Sequence, residues 1–175
     1  MTYSNHGAIR GYFFYPCPIQ CSQGVTDERG GRAPQERAEK LLYQVSLFQM
    51  ERLNSYLLES AKIRDTAELD ALRQAVYSAQ FTHEHLAQAY REGEVAPLPS
   101  LQALMQYLLR LQVGGSRPLK AEEQQTLAEA GNLYSDIYTA YSELVSESGG
   151  VSGSGSGRMT EADEELAKLL KKKLP

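Results

Sequence analysis

Apolar residues recur at intervals of three and four along four stretches of the chain, which is the spacing of one face of an α-helix. These stretches are residues 34–63, 65–90, 100–111 and 119–147. Because short connections join them, neighbouring helices are expected to run antiparallel. The sequence therefore predicts an all-α protein, with an antiparallel four-helix bundle over residues 34–148.

Each predicted helix has one apolar face, and we expect the four faces to meet in a core. The faces consist of Leu41, Leu42, Val45, Phe48, Leu53, Tyr56 and Leu57; then Leu69, Leu72, Val76, Ala79, His83, Leu86 and Tyr90; then Leu101, Leu104, Leu108 and Leu111; and finally Leu127, Ala130, Tyr134, Ile137, Tyr141 and Leu144. The regular spacing on the second helix is typical of bundles. Gly131, inside the fourth helix, marks either a close approach by another helix or a small core position.

Several helix ends carry recognisable signals. Asp65 followed by Glu68 resembles a capping box at the start of the second helix. Ser100 is expected to cap the third helix through its hydroxyl oxygen. Gly114 and Gly115 are expected to end that helix, because glycine adopts the left-handed conformation without strain.

The first 33 residues show no helical period. Tyr12–Tyr15 is a run of four aromatic residues, and Pro16 and Pro18 follow it and disfavour a helix. We therefore expect an irregular arm over residues 1–33, with the aromatic run packed against the bundle.

A glycine- and serine-rich stretch follows the fourth predicted helix. Its composition over residues 149–158 is that of a flexible spacer, with Val151 as its single large apolar residue. Alternating Ser and Gly directly before Met159 is typical of two coding sequences joined by design. On this hypothesis residues 159–175 are the N-terminus of a second protein, fused to the bundle that binds it.

Residues 159–175 have the pattern of one short amphipathic helix. Thr160 is expected to cap it, acidic residues follow in the first turns, and Lys171–Lys173 close the last turn, so the charges oppose the helix dipole. A helix of this length is marginal alone in water, so its apolar stripe needs a groove on another protein surface. The predicted anchors are Met159, Ala162, Leu166, Leu169 and Leu170.

Tyrosines suggest where that groove lies. Tyr134, Tyr138 and Tyr141 crowd the fourth helix, and tyrosine is favoured in interfaces because it combines apolar area with a polar end. We expect these residues to form the receiving surface, together with Phe13 and Phe14 of the arm.

Candidate metal ligands are few. His83 lies on the seam of the second helix, and we expect a hydrogen-bonded core histidine there; the alternatives are a metal ligand or a pH-sensitive switch. Cys17 and Cys21 are separated by three residues, and a zinc site, a reversible disulfide and two ordinary thiols all fit that spacing. No Glu-x-x-His motif of a di-iron bundle occurs. We expect no metal or other cofactor.

Composition narrows the function classes. The 175-residue chain has 18 Lys and Arg against 22 Asp and Glu, and it lacks the basic stripe that phosphate neutralisation requires, so nucleic acid is not an expected partner. It has neither a long apolar span nor the pattern of a signal peptide, so we expect a cytoplasmic protein that does not enter a membrane. No nucleophile–base constellation or phosphate-binding loop points to an enzyme.

These expectations define the functional hypotheses. The first is a non-enzymatic helical adaptor, chaperone or regulatory protein that binds the N-terminal amphipathic helix of a partner protein. The alternative is a metal- or small-molecule-binding bundle whose tail is incidental. A third is self-association, in which residues 159–175 dock on a second copy as a domain-swapped homodimer.

Overall fold

A computed structural model describes residues 28–146 and 149–174, with side chains from residue 34 onward. The described part contains five α-helices: α1 (Glu28–Ser60), α2 (Asp70–Ala89), α3 (Pro99–Gln112), α4 (Ala121–Ser142) and α5 (Gly153–Lys173). A short 3-10 helix, Thr66–Leu69, precedes α2. The prediction of an all-α protein is confirmed for this part of the chain.

The five helices pack in a closed ring whose order is α1, α2, α3, α5, α4 and back to α1. Spatial order thus departs from chain order at one place, where α5 lies between α3 and α4. Each helix buries one face against two neighbours, which is how amphipathic helices form a bundle core.

Hydrogen bonds between helices fix their directions. The Ser46 hydroxyl of α1 lies 3.4 Å from that of Thr82 on α2. The Ser135 hydroxyl of α4 donates to Asn54 Oδ1 of α1 at 2.9 Å. Farther along α4, the Tyr43 hydroxyl of α1 donates to the main-chain oxygen of Tyr141 at 2.9 Å. Residues early in α1 therefore meet residues late in α4, and the two helices are antiparallel.

The predicted apolar faces of the second, third and fourth helices all lie in the core. Every residue named for them is buried, from Leu69 to Tyr90, from Leu101 to Leu111 and from Leu127 to Leu144. Gly131 lies where α4 crosses α1, and a β-carbon there would come 3.2 Å from the main-chain oxygen of Leu57. Of the two interpretations of Gly131, the close approach of another helix is therefore the one observed.

The predicted apolar face of α1 is wrong in its first half. Leu41, Val45 and Phe48 point to solvent, and Phe48 is 60% exposed. Along α1, residues three or four apart form a row on one face of the helix. The row that begins with these three residues continues only into polar residues, whereas the neighbouring row includes Leu53 and Leu57 and is buried without a break. That row starts with Tyr43, Ser46 and Met50. Helix orientation thus follows the longer row, and the buried hydroxyls in it are hydrogen-bonded.

Several predicted boundaries also differ from those observed. Helix α1 begins at Glu28, six residues before Pro34, and Pro34 lies within it. Helix α4 is shorter at both ends than residues 119–147. The remainder of the predicted arm, residues 1–27, lies outside the described residues, and with it lie Phe13, Phe14, Cys17 and Cys21.

The capping signals were predicted correctly in part. Asp65 Oδ1 accepts from the Ala67 N–H at 2.8 Å, and Glu68 Oε1 accepts from the Asp65 N–H at 3.2 Å, which completes the capping box. It starts the 3-10 helix, however, and α2 begins at Asp70. Gly114 and Gly115 follow α3 with φ of 93° and 90°, the left-handed conformation predicted for them.

The glycine- and serine-rich stretch differs most from its prediction. The Ser152 N–H donates to the Leu144 oxygen at 2.7 Å, so the chain turns back directly after α4. The Ser152 hydroxyl then accepts from the Gly155 N–H at 3.3 Å and caps α5. A flexible spacer over all of residues 149–158 is therefore wrong from Gly153 onward, as is a cap at Thr160, which lies within α5.

The candidate functional site, a cleft between α3 and α4

Helix α5 occupies a cleft whose two walls hardly touch each other. Helices α3 and α4 both pack on α5 but not extensively on one another; they approach at Tyr107 and Thr126. We use the name α3–α4 cleft for the space bordered by Ser100 and Arg110 on α3 and by Glu122 and Glu143 at the two ends of α4. Without α5, both walls of this cleft would face water.

The predicted anchors all lie on the face that α5 buries. Met159, Leu166 and Leu170 are fully buried, and Ala162 and Leu169 are partly buried against the same core. Complete burial of side chains of this size contributes about 1.5–3 kcal/mol each. The apolar stripe read from the sequence is thus the surface by which α5 packs on the rest of the molecule.

Two small residues on this buried face were missed by the sequence analysis. Ala167 is buried on the same face as Leu166 and Leu170. Gly155 lies where a β-carbon would come 3.2 Å from the Glu143 oxygen, so α5 approaches the end of α4 closely through a glycine. The contact extends the stripe one helical turn before Met159.

The most informative missed residue is Asp163. This residue is 1% exposed, although the sequence analysis counted it only among the acidic residues of the first turns. The Ser100 N–H donates to Asp163 Oδ1 at 3.2 Å and to Oδ2 at 3.4 Å, and the Ser100 hydroxyl also donates to Oδ1. Burial raises the pKa of Asp163, and the hydrogen bonds from Ser100 oppose that shift.

Ser100 does not have its predicted role. Helix α3 begins at Pro99, and Leu98 in the capping position offers no side-chain oxygen. The first N–H groups of a helix lack partners within the helix. The Asp163 carboxylate supplies a hydrogen-bond acceptor for the Ser100 N–H, and its negative charge lies at the positive end of the α3 dipole. A residue of α5 thus performs the capping that the sequence analysis assigned to Ser100.

Polar contacts also hold the two ends of α5. Arg158 forms an ion pair with Glu143 at the end of α4. At the other end, Lys173 Nζ lies 2.7 Å from Glu122 Oε1, and this contact lowers the pKa of Glu122. The Arg110 Nη1 donates to the Lys173 main-chain oxygen at 2.7 Å. Exposed ion pairs contribute little stability, so these contacts orient α5 more than they hold it.

The hydroxyls of two of the predicted tyrosines contact α1. The Tyr134 hydroxyl lies 3.1 Å from Met50 Sδ on α1. The Tyr141 hydroxyl lies 2.6 Å from the Ser46 oxygen, also on α1. Tyr138 is half-buried. The hydroxyls of Tyr134 and Tyr141 therefore serve the packing of α4 on α1, and the polar groups that meet α5 come from the four residues that define the cleft.

His83 has the surroundings of a core histidine. Its Nε2 lies 3.0 Å from the Ala96 oxygen, and its Nδ1 lies 3.3 Å from the Tyr141 hydroxyl. Since a carbonyl oxygen only accepts, Nε2 carries the proton and Nδ1 accepts from Tyr141. Burial lowers the pKa of His83 to about 4, which keeps the ring neutral at neutral pH.

A second apolar surface lies on the outside of α1 and α2. On α2, the rings of Tyr77 and Phe81 stack with centroids 6.3 Å apart, and Phe81 also lies 4.2 Å from the His85 ring. Val45 and Phe48 are exposed on the adjacent α1. No other described element packs on this surface, and nothing in the structure identifies what would cover it.

The described residues also lack two other kinds of feature. Within the described residues, no group of His, Cys, Asp and Glu has the proximity needed to hold a metal ion. Among the same residues, no helix combines the length and apolar character needed to cross a membrane. Comparison with protein-family models, with curated proteins and with solved structures found no match.

Proposed function

We propose that residues 28–146 act as a four-helix receptor that binds an amphipathic helix of a partner protein, and that α5 represents this partner helix. The chain would then be a fusion of a non-enzymatic adaptor, chaperone or regulatory protein with a segment of its partner. The observation that supports the proposal is the position of α5. This helix fills the space between α3 and α4, and it does so with its own apolar stripe.

The pattern of α5 agrees with helix-in-groove recognition. Its buried residues Met159, Leu166 and Leu170 follow steps of seven and four, so they lie on one helical face. Their burial amounts to roughly 5–9 kcal/mol before the cost of association. The polar contacts at both ends of α5 add to this, and association and ordering costs offset part of it, so a free helix of this kind would bind with an affinity of about micromolar. A covalent connection raises its effective concentration to the millimolar range, which fills the cleft.

Cutting the chain after it has folded tests this proposal. A specific protease site is inserted between Ser146 and Gly149, and the folded protein is cleaved and passed over a gel-filtration column at micromolar concentration. We expect the fragment that contains α5 to co-elute with the bundle and to be displaced by an excess of a peptide of residues 153–174.

A matched pair of peptides sharpens the experiment. Leu166→Ala removes a fully buried side chain, a change that typically costs 2–5 kcal/mol, so displacement should require at least about 30-fold more peptide. Lys168→Ala changes an exposed residue on the same helix and should displace like the unchanged peptide. Immediate loss of the α5 fragment, or equal potency of both variants, would refute the proposal.

The same column distinguishes binding within one molecule from domain swapping. The chain makes a tight turn between Leu144 and Ser152, which favours docking of α5 on its own bundle. We therefore expect the uncut protein to elute as a monomer at all concentrations, whereas a swapped dimer would persist on dilution.

A further inference from the structure

Asp163 is the one ionisable residue on the buried face of α5. It follows Met159 by one turn and precedes Leu166 by three residues, so it falls within the apolar stripe. The neighbouring acids Glu161 and Glu164 are exposed. An ionisable group is seldom buried unless a specific partner compensates its desolvation, so its position requires an explanation in the cleft.

The opposite wall supplies that explanation. Ser100 is fully buried, and both its N–H and its hydroxyl donate to the Asp163 carboxylate. The chain before α3 provides no side-chain oxygen for these donors, because Leu98 occupies the capping position. If an apolar residue replaced Asp163, two buried donors on α3 would lose their acceptor, which costs more than the loss of an ordinary hydrogen bond.

The same contact fixes the register of α5 relative to α3. Asp163 meets Ser100, and ten residues later the Lys173 oxygen meets Arg110, which is also ten residues after Ser100. Helices α3 and α5 are thus parallel and in one constant register. A slip by one turn, about 5.4 Å, would bring Met159 or Ala167 opposite Ser100 and would break both contacts together.

We propose that the α3–α4 cleft selects its partner through this aspartate. This inference rests on the proposed function and specifies the partner's chemistry. The cleft takes an amphipathic helix with an acidic residue inside its apolar stripe, four residues after a large apolar residue and three before a leucine. In this chain the pattern is Met159-x-x-x-Asp163-x-x-Leu166-Ala167-x-x-Leu170. The open N-terminus of α3 recognises the acid, and the apolar residues supply the affinity.

A competition experiment on the cleaved protein tests this inference with the receptor unchanged. Four peptides of residues 153–174 are compared as competitors of the α5 fragment. They are the unchanged sequence, Asp163→Asn, Asp163→Ala, and Glu164→Gln, which is the matched control for loss of one negative charge. Loss of a hydrogen-bonded buried charge should raise the half-displacing concentration about 10-fold to 100-fold for both Asp163 variants. Glu164→Gln, altered at an exposed position, should match the unchanged peptide.

The outcomes separate this inference from the proposed function. If the unchanged peptide and both Asp163 variants displace equally well while Leu166→Ala does not, selection through the aspartate is refuted and helix capture stands. If even the unchanged peptide fails to displace, helix capture is refuted and the inference falls with it. If Glu164→Gln weakens binding as much as Asp163→Asn, the cleft responds to general charge and the specific role of Asp163 is refuted.

A receptor variant provides an independent check by a different route. Ser100→Ala in the cleaved protein removes one donor from the cleft, so Asp163→Ala should weaken peptide binding less there than in the unchanged receptor. Equal weakening in both receptors would show that Ser100 and Asp163 act separately, against the inference.

Discussion

Replacing Gly157 by alanine determines whether the glycine- and serine-rich stretch is a helix or a spacer. In the structure Gly157 is an exposed residue inside α5, and apart from the adjacent backbone of α5 itself no atom lies within 4 Å of the position that a β-carbon would take. Glycine in a helix interior is about 0.8–1.0 kcal/mol less favourable than alanine. Gly157→Ala should therefore stabilise the folded protein by about 1 kcal/mol, since the new methyl group meets no obstacle.

Gly155→Ala is the matched comparison, two residues earlier in the same helix. It gains the same helix propensity, but its β-carbon would lie 3.2 Å from the Glu143 oxygen and 3.5 Å from the Leu144 Cα. A contact this short forces α5 and the end of α4 apart. The free energy of unfolding should therefore rise less for Gly155→Ala than for Gly157→Ala.

Thermal unfolding followed by circular dichroism measures both effects. For a chain of this length, 1 kcal/mol corresponds to a change in Tm of roughly 2–4 °C. We expect Gly157→Ala to raise the Tm by that amount and Gly155→Ala to raise it less or to lower it. If neither substitution changes the Tm, residues 153–158 form a flexible spacer as their composition suggested, and the observed start of α5 is refuted.

Two further predictions concern the core. Because burial lowers the pKa of His83 from 6.5 to about 4, the unfolded chain binds a proton more readily, so stability should fall by up to about 3 kcal/mol as the pH drops from 6.5 to 4. The free energy of unfolding, measured with denaturant across that range, should depend less steeply on pH for His83→Gln than for the exposed control His85→Gln. An equal dependence on pH in both variants would contradict the lowered pKa of His83. Met50→Ala should cost 2–5 kcal/mol, whereas Phe48→Ala should cost less than about 1 kcal/mol, since Phe48 is 60% exposed. A larger loss for Phe48→Ala in the same unfolding experiment would restore the α1 face predicted from the sequence.

The sequence predicted the buried face of a helix correctly where only one apolar face was possible. Along α2 a single row runs from Leu69 to Tyr90, and all of it is buried. On α1 two rows compete, and the choice between them depends on partners that are distant in sequence. Tyr43 and Ser46 are buried because α4 offers them hydrogen-bonding partners, which the local pattern of α1 does not reveal.

The sequence predicted which apolar face of α5 is buried, and it missed the buried acid within that face. The stripe from Met159 to Leu170 follows from spacing alone. The role of Asp163 does not, because an acid near the start of a short helix is equally well explained by that helix's own dipole. One signal was available: Asp163 lies one turn after Met159 and three residues before Leu166, so it shares their face. Its partner Ser100 was identified as a capping residue of α3, whereas it is the residue that receives the cap.

The aspartate that reaches across from α5 couples the order of one helix to the presence of another. Helix α3 has 14 residues, a length at which an isolated helix is marginal in water, and its first turn depends on an acceptor that it does not carry. If α5 binds and leaves as proposed, that turn would gain and lose its acceptor and one of its packed sides in the same event. Occupancy of the cleft would thus alter the order of residues 97–100, as fraying or tightening of the start of α3.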